Sequence, residues 1–293
     1  MSRAREAAFI RSVQERLARE LTPAMRRALA RVYAALERAT QEPGVLNLIG
    51  AGRLDEAVEA IMSSASLGAA RNAVQAELSA ALVKAGGSWS ALTVSPTLGV
   101  RVAFPALNAA SMRALERLDL QFFPPIFAET KKAFTIGLKA GLEQGLNPRD
   151  AARGLRQYVG LTEYDARIVS TFELQLRGDP ATALTRTLRD ARYDGSIRRA
   201  IAGEGALTNA QIATMRDAYV RRLVNWRAET WSRTAAMNAT REANLASWSN
   251  AADSLGIDRA DVEKGWSTTL DGRERDEHRE LNETWVPMDE PFP

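Results

Sequence analysis

Apolar residues recur along this chain mostly at helical spacing. Ala8, Ile10, Val13, Leu17 and Leu21 fall on one face of a 3.6-residue period and predict a helix over 3–20. Thr22-Pro23 reads as an N-cap followed by proline in the first turn, so a second helix is expected to run to about Thr40. Gln41-Glu42-Pro43-Gly44 signals a turn, and further helices are expected near 53–65 and 69–84. The pattern breaks from Ala85 to Pro105, where Gly86-Gly87, Pro96, Gly99 and Pro105 alternate with Leu92-Thr93-Val94 and Val100–Phe104. That stretch predicts an extended loop or hairpin arm.

Helical periodicity returns after Asn108. Pro124-Pro125 reads as a boundary and a new start, and Asn147-Pro148 as a cap with its first-turn proline. Thr162 with Asp165, and Thr208 with Gln211, have capping-box spacing. The Arg-rich stretch 186–199 is expected to be helical with a break near Gly195, and 202–206 to be a loop. Ile212, Met215, Tyr219, Leu223, Trp226 and Thr230 then form an amphipathic stripe. No Gly or Pro interrupts it before Gly256, so a helix over about 209–253, roughly 65 Å long, is expected. Past it, Trp266–Arg273 reads as a β-friendly run into a turn, Glu274–Leu281 as a short helix and Trp285-Val286-Pro287 as extended chain.

These elements predict a mainly α, elongated multi-helix protein with one long helix and a small α+β C-terminal tail domain. The expected organisation is an N-terminal helical region (1–119, with the arm near 85–105), a central helical domain (120–207), and the long helix with the tail (208–293).

Charge adds an asymmetry. Of 39 basic residues 34 are Arg, and the formal net charge is +3. The stretch 266–293 holds three arginines against eight acidic residues, whereas residues 1–40 hold nine Arg against four Glu. The two ends are thus oppositely charged, which reads either as two solvated faces or as ends that meet different partners. No apolar run reaches the length of a membrane span or a signal-peptide core, so no span or leader is expected.

Candidate chemistry is sparse. The absence of cysteine excludes disulfides, thiolate metal sites and Cys nucleophiles. The single histidine, His278, stands among acidic residues, and Asp271, Asp276 and His278 are the only set from which a metal-dependent hydrolase could be built. One His completes no multi-His site, and its spacing to these acids matches no metal motif. Neither a P-loop nor a dinucleotide-binding glycine pattern occurs. No enzyme and no cofactor is therefore expected. Arg186, Arg189, Arg192, Arg198 and Arg199 are the candidate DNA contacts, which would serve a DNA-binding internal head protein; interleaved Asp190 and Asp194 argue for ion-paired faces instead. Trp226 and Trp231 read as core or interface anchors.

The C-terminal residues carry a family resemblance. Trp266, Thr268, Thr269, Asp271, Arg273, Arg275, His278, Leu281 and Asn282, followed by Val286, Pro287, Asp289, Pro291 and Phe292, stand in an order and spacing that resembles the signature of the phage Mu protein F-like minor head proteins, the phage head morphogenesis family. The upstream Arg227-Ala-Glu-Thr-x-x-Arg233-Thr, with Asn238, Asn244 and Trp248, is similar to the helix leading into that signature. The resemblance covers about 226–293. It departs where the family carries Gly after the residue matching Asn282, since Glu283 stands here, and where some relatives have cysteines near 273–278. It implies a minor structural protein of the virion head, formed in the host cytoplasm during assembly. Its implied partners are the portal protein or the major capsid protein, with packaged double-stranded DNA a further candidate. Its implied work is head morphogenesis and DNA packaging or ejection.

Overall fold

The computed structural model describes residues 3–105, 108–143, 145–268 and 275–293. The helices are α1 (Arg3–Ala39), α2 (Pro43–Gly50), α3 (Leu54–Met62), α4 (Ala65–Trp89), α5 (Ser95–Leu98), α6 (Ala109–Glu143), α7 (Pro148–Gly154), α8 (Glu163–Gly178), α9 (Pro180–Ala183), α10 (Asp194–Ile201), α11 (Asn209–Leu255) and α12 (Asp276–Glu280). Two short strands, β1 (Glu263–Gly265) and β2 (Trp285–Pro287), pair antiparallel. The fold is mainly α with one long helix and a small two-stranded sheet near the C-terminus. No described helix is long and apolar enough to cross a membrane.

The chain forms two compact units, each built from separated segments. Unit 1 takes residues up to Thr22, Ala76–Asp119 and Arg233–Pro293, and unit 2 takes Pro23–Gln75 and Leu120–Ser232. The helices α1, α4, α6 and α11 each contribute residues to both units.

Unit 1 has an alanine-rich interior. Ala235, Ala236, Ala239, Ala243 and Ala246 of α11 are all buried, as are Leu17, Leu78, Leu82, Trp89 and Leu118. Small side chains on α11 let α4 come close enough for polar contact. The Trp89 indole N–H donates to the Thr240 carbonyl at 2.8 Å, and the Ser247 hydroxyl donates to the Gly86 carbonyl at 3.2 Å. These contacts correct the arm expected over 85–105. Gly86-Gly87 lies inside α4, and Ser90–Val94 continues it as a π-helical turn into α5; only 99–105 leaves the helix. At Gly86 a side chain's Cβ would lie 2.4 Å from the Phe104 ring, so glycine there makes room for an aromatic rather than breaking the helix.

Two proline signals are corrected as well. Pro23 lies within the continuous α1, where the Thr22 hydroxyl donates back to the Ala18 carbonyl instead of capping a new helix. Pro124 and Pro125 lie within α6 and are exposed, so the backbone acceptors of Leu120 and Gln121 lose their helical donors on a solvated face.

Unit 2 is built on a conventional apolar core. Val169, Phe172 and Leu176 of α8, Ile197 of α10, and Ile212, Met215, Tyr219 and Leu223 of α11 form one buried cluster. The Phe172 and Tyr219 rings sit 4.4 Å apart, centroid to centroid. The expected caps position these helices. Asn147 accepts from the Asp150 backbone, Thr162 and Asp165 close a full capping box, and Thr208 and Gln211 close another. Arg227 of α11 then reaches the start of α8, pairing with Asp165 at 2.9 Å and donating to the Gly160 carbonyl at 3.1 Å. Gly160 adopts φ +79° under the Tyr33 ring, where a Cβ would meet it at 2.6 Å. Burial pushes the Tyr33 phenol up to about 12, against the lowering influence of Arg227, so the lid over Gly160 stays neutral at physiological pH.

Candidate functional site

The C-terminal segment of unit 1 begins where α11 ends. Gly256, at φ +67°, takes the left-handed position after the helix, and the Ile257 N–H closes back on the Ala252 carbonyl at 3.0 Å. Asp258 caps the short turn that follows by accepting from the Ala260 N–H. The strand forms at Glu263–Gly265, just before the run expected to start at Trp266. It pairs Glu263 with Pro287, Lys264 with Val286 and Gly265 with Trp285. The Trp285 ring covers Gly265 so closely that a Cβ there would sit 2.9 Å away, which explains a glycine in a strand. Beyond the strands, Trp266 and Thr284 exchange one bond and Glu283 donates back to Trp266.

Several signature residues converge. The Trp266 ring meets His278 edge-on at 5.3 Å and Phe292 edge-on at 5.2 Å. The Asn282 side-chain oxygen accepts from the Thr268 N–H at 3.0 Å and from its hydroxyl at 3.2 Å. Arg11 of α1 donates to the Thr268 carbonyl at 3.0 Å, fixing this segment to the N-terminal helix. Met288 is buried and takes the Ser249 hydroxyl on its sulfur. Arg275 is exposed and precedes α12, Leu281 accepts from the Thr284 N–H, Pro287 closes β2, and Asp289 lies 3.8 Å from Arg259. Thr269, Asp271 and Arg273 lie outside the described residues. Arg11 and Met288 carried no signal in the sequence, because an arginine in an Arg-rich helix and a methionine in a polar tail look like their neighbours.

His278 thus packs an aromatic ring, and Asp276 pairs with Arg279 at 3.5 Å. Among the described residues no group of three or more His, Asp or Glu side chains could hold a metal.

Among the described residues Glu283 is the non-glycine one with positive φ, at +65°. The resemblance predicts Gly at this position, and the backbone supplies a reason, since a left-handed conformation costs a side chain about 1–2 kcal/mol. Glu283→Gly is expected to stabilise the protein by about 0.5–1 kcal/mol, the relief of that strain offset by glycine's extra chain entropy. A urea titration checks it; a lowered midpoint would refute the strain.

The Arg-rich stretch lies in unit 2. It is not the helix expected over 186–199: residues 184–190 are turn and loop, helical structure starts at Ala191, and Gly195 sits inside α10 instead of at a break. Arg189 forms a two-pronged pair with Asp194 at 3.0 and 2.9 Å, and Arg198 approaches the same carboxylate at 3.7 Å. Arg192 and Arg222 share Asp190 at 2.7 and 3.4 Å. Arg186 donates to the Gln175 amide oxygen at 3.0 Å and Arg199 to the Ser196 hydroxyl at 3.4 Å. The Arg192 hydrogen bond, with further attraction from Arg222, holds the Asp190 carboxyl down at about 2. A depressed carboxyl stabilises the fold above its unfolded pKa near 3.8 and loses that contribution as pH falls toward 2. Wild type should therefore exceed Asp190→Asn in stability at pH 5 and converge with it near pH 2, as measured by urea midpoints across that range. A constant difference would contradict the assignment.

Compared with family models, curated proteins and solved structures, the chain matches none.

Proposed function

We propose that this chain is a minor head protein of a tailed bacteriophage, a structural component of the virion that associates with the portal vertex and acts in head morphogenesis and in DNA packaging or ejection. The order and spacing of the signature residues between Trp266 and Phe292 support the reading. The observation that carries it is that these residues contact one another in two groups, Trp266 with His278 and Phe292, and Thr268 with Asn282. Their shared spacing has a structural purpose, to hold a small folded segment, and His278 is spent on packing instead of chemistry. Around that segment Asp276, Glu277, Glu280, Glu283 and Glu290 are exposed, as is Trp285, leaving an acidic surface with an aromatic for a basic partner. Assembly would occur in the host cytoplasm and the protein would end in the head.

The test is co-expression of the full chain with the portal and major capsid proteins of the phage genome that encodes it. Co-purification with portal or with heads is expected. A chain that stays free of both, while remaining folded, defeats the proposal.

A further inference from the structure

The stripe on α11 does not end as a stripe in a core should. Ile212, Met215, Tyr219 and Leu223 are buried, but Trp226, the next member, is 53% exposed. It lines an open cleft of about 550 Å³ within unit 2. On the α8 side of that cleft stands Tyr164, 72% exposed. Two large aromatic rings kept in water at the edges of one cleft have not been recruited for folding.

The rest of the cleft mixes apolar side chains, Ile168, Leu188 and Leu223 among them, with polar ones and one guanidinium. Thr182, Thr185 and Thr187 also line it, and Arg186 brings a guanidinium that donates to the neutral Gln175 amide. Asp165 is the one carboxylate in the lining, and Arg227 neutralises it at 2.9 Å. Each exposed ring also has an arginine one helical turn away, Arg167 beside Tyr164, paired with Glu163, and Arg222 beside Trp226, sharing Asp190. The adjoining segment 184–201 holds five arginines against two aspartates, and each aspartate is shared by two arginines.

We propose that this cleft binds single-stranded nucleic acid, with bases stacked on Tyr164 and Trp226 and phosphates drawn to Arg186 and Arg222. Two exposed π-faces and a guanidinium in one cleft lining offer an unpaired strand both stacking platforms and a phosphate contact. A duplex hides its base faces and would leave both aromatics idle. The inference goes beyond the virion reading and stands independently of it.

Fluorescence anisotropy of a labelled oligothymidylate, titrated with the full chain at low salt, tests it. Binding that weakens with added salt and quenches tryptophan emission is expected. Trp226→Ala and Tyr164→Ala should each weaken it roughly 5- to 150-fold, the worth of one stacked base, and Trp226→Phe should retain most of it. Both rings are exposed, so the alanine variants should melt as wild type does; if Trp226→Ala does not, Tyr164→Ala carries the test. No binding at low salt overturns the proposal. So does binding indifferent to both alanine substitutions, or equal competition by duplex, which would mark a surface that reads phosphate alone. Equal competition by a mononucleotide would assign the cleft to a small ligand and overturn it too.

Discussion

Trp89→Ala should cost the protein about 3–5 kcal/mol, the largest loss expected from a single truncation in unit 1. The indole is 1% exposed and is among the largest fully buried side chains. It fills the space left by the small residues of α11, and its N–H holds the Thr240 carbonyl. Alanine would leave a cavity lined by other alanines, which have no length with which to collapse into it. Trp89→Phe keeps most of the volume and loses the hydrogen bond, so it should cost about 1–2 kcal/mol. Urea denaturation of the three proteins checks the order. An alanine variant as stable as wild type would mean that the alanine-rich interior is not held by Trp89.

Arg227→Ala is expected to cost about 3 kcal/mol, the lower end for a broken buried pair, because the arginine is itself about one-third exposed while Asp165 is nearly enclosed. The loss falls on two acceptors at once, the Asp165 carboxylate and the Gly160 carbonyl beneath Tyr33. Lysine offers one ammonium where the guanidinium spans both, so Arg227→Lys should recover less than half of the loss. In a double-mutant cycle with Asp165→Asn the two losses should be markedly non-additive. Additive losses would show that Arg227 stabilises the fold by some route other than Asp165.

Much of the fold was legible where the signal was local. The Asn147, Thr162 and Thr208 caps join side chains to backbone three residues away, so spacing alone reveals them. The uninterrupted α11 was legible for the same reason. Gly86-Gly87 and Pro23 misled because their usual meaning as breakers holds only when no other contact compensates. The Phe104 ring fills the gap at Gly86, and α1 continues through Pro23 with Thr22 bonded backward. The candidate site was legible as an order of residues but not as contacts. Spacing placed Trp266 and Asn282 in one motif, while the partners Arg11 and Ser249 come from elsewhere in the chain. Trp226 is no core residue, because helical periodicity reports which face a residue shares, not whether a neighbour reaches far enough to cover it.

The segment order of the two units has a consequence for synthesis. Unit 1 draws on the first residues of the chain and on everything after Arg233, so its first helix emerges from the ribosome long before its core can close. Buried leucines of α1 and α4 must wait for the alanines of α11, through contacts of high sequence separation, which are slow to form and leave apolar surface unprotected in the interval. A chain interrupted before Arg233 would therefore yield an aggregation-prone fragment in place of a stable N-terminal domain, and the cell would need either to finish the polypeptide or to shelter it.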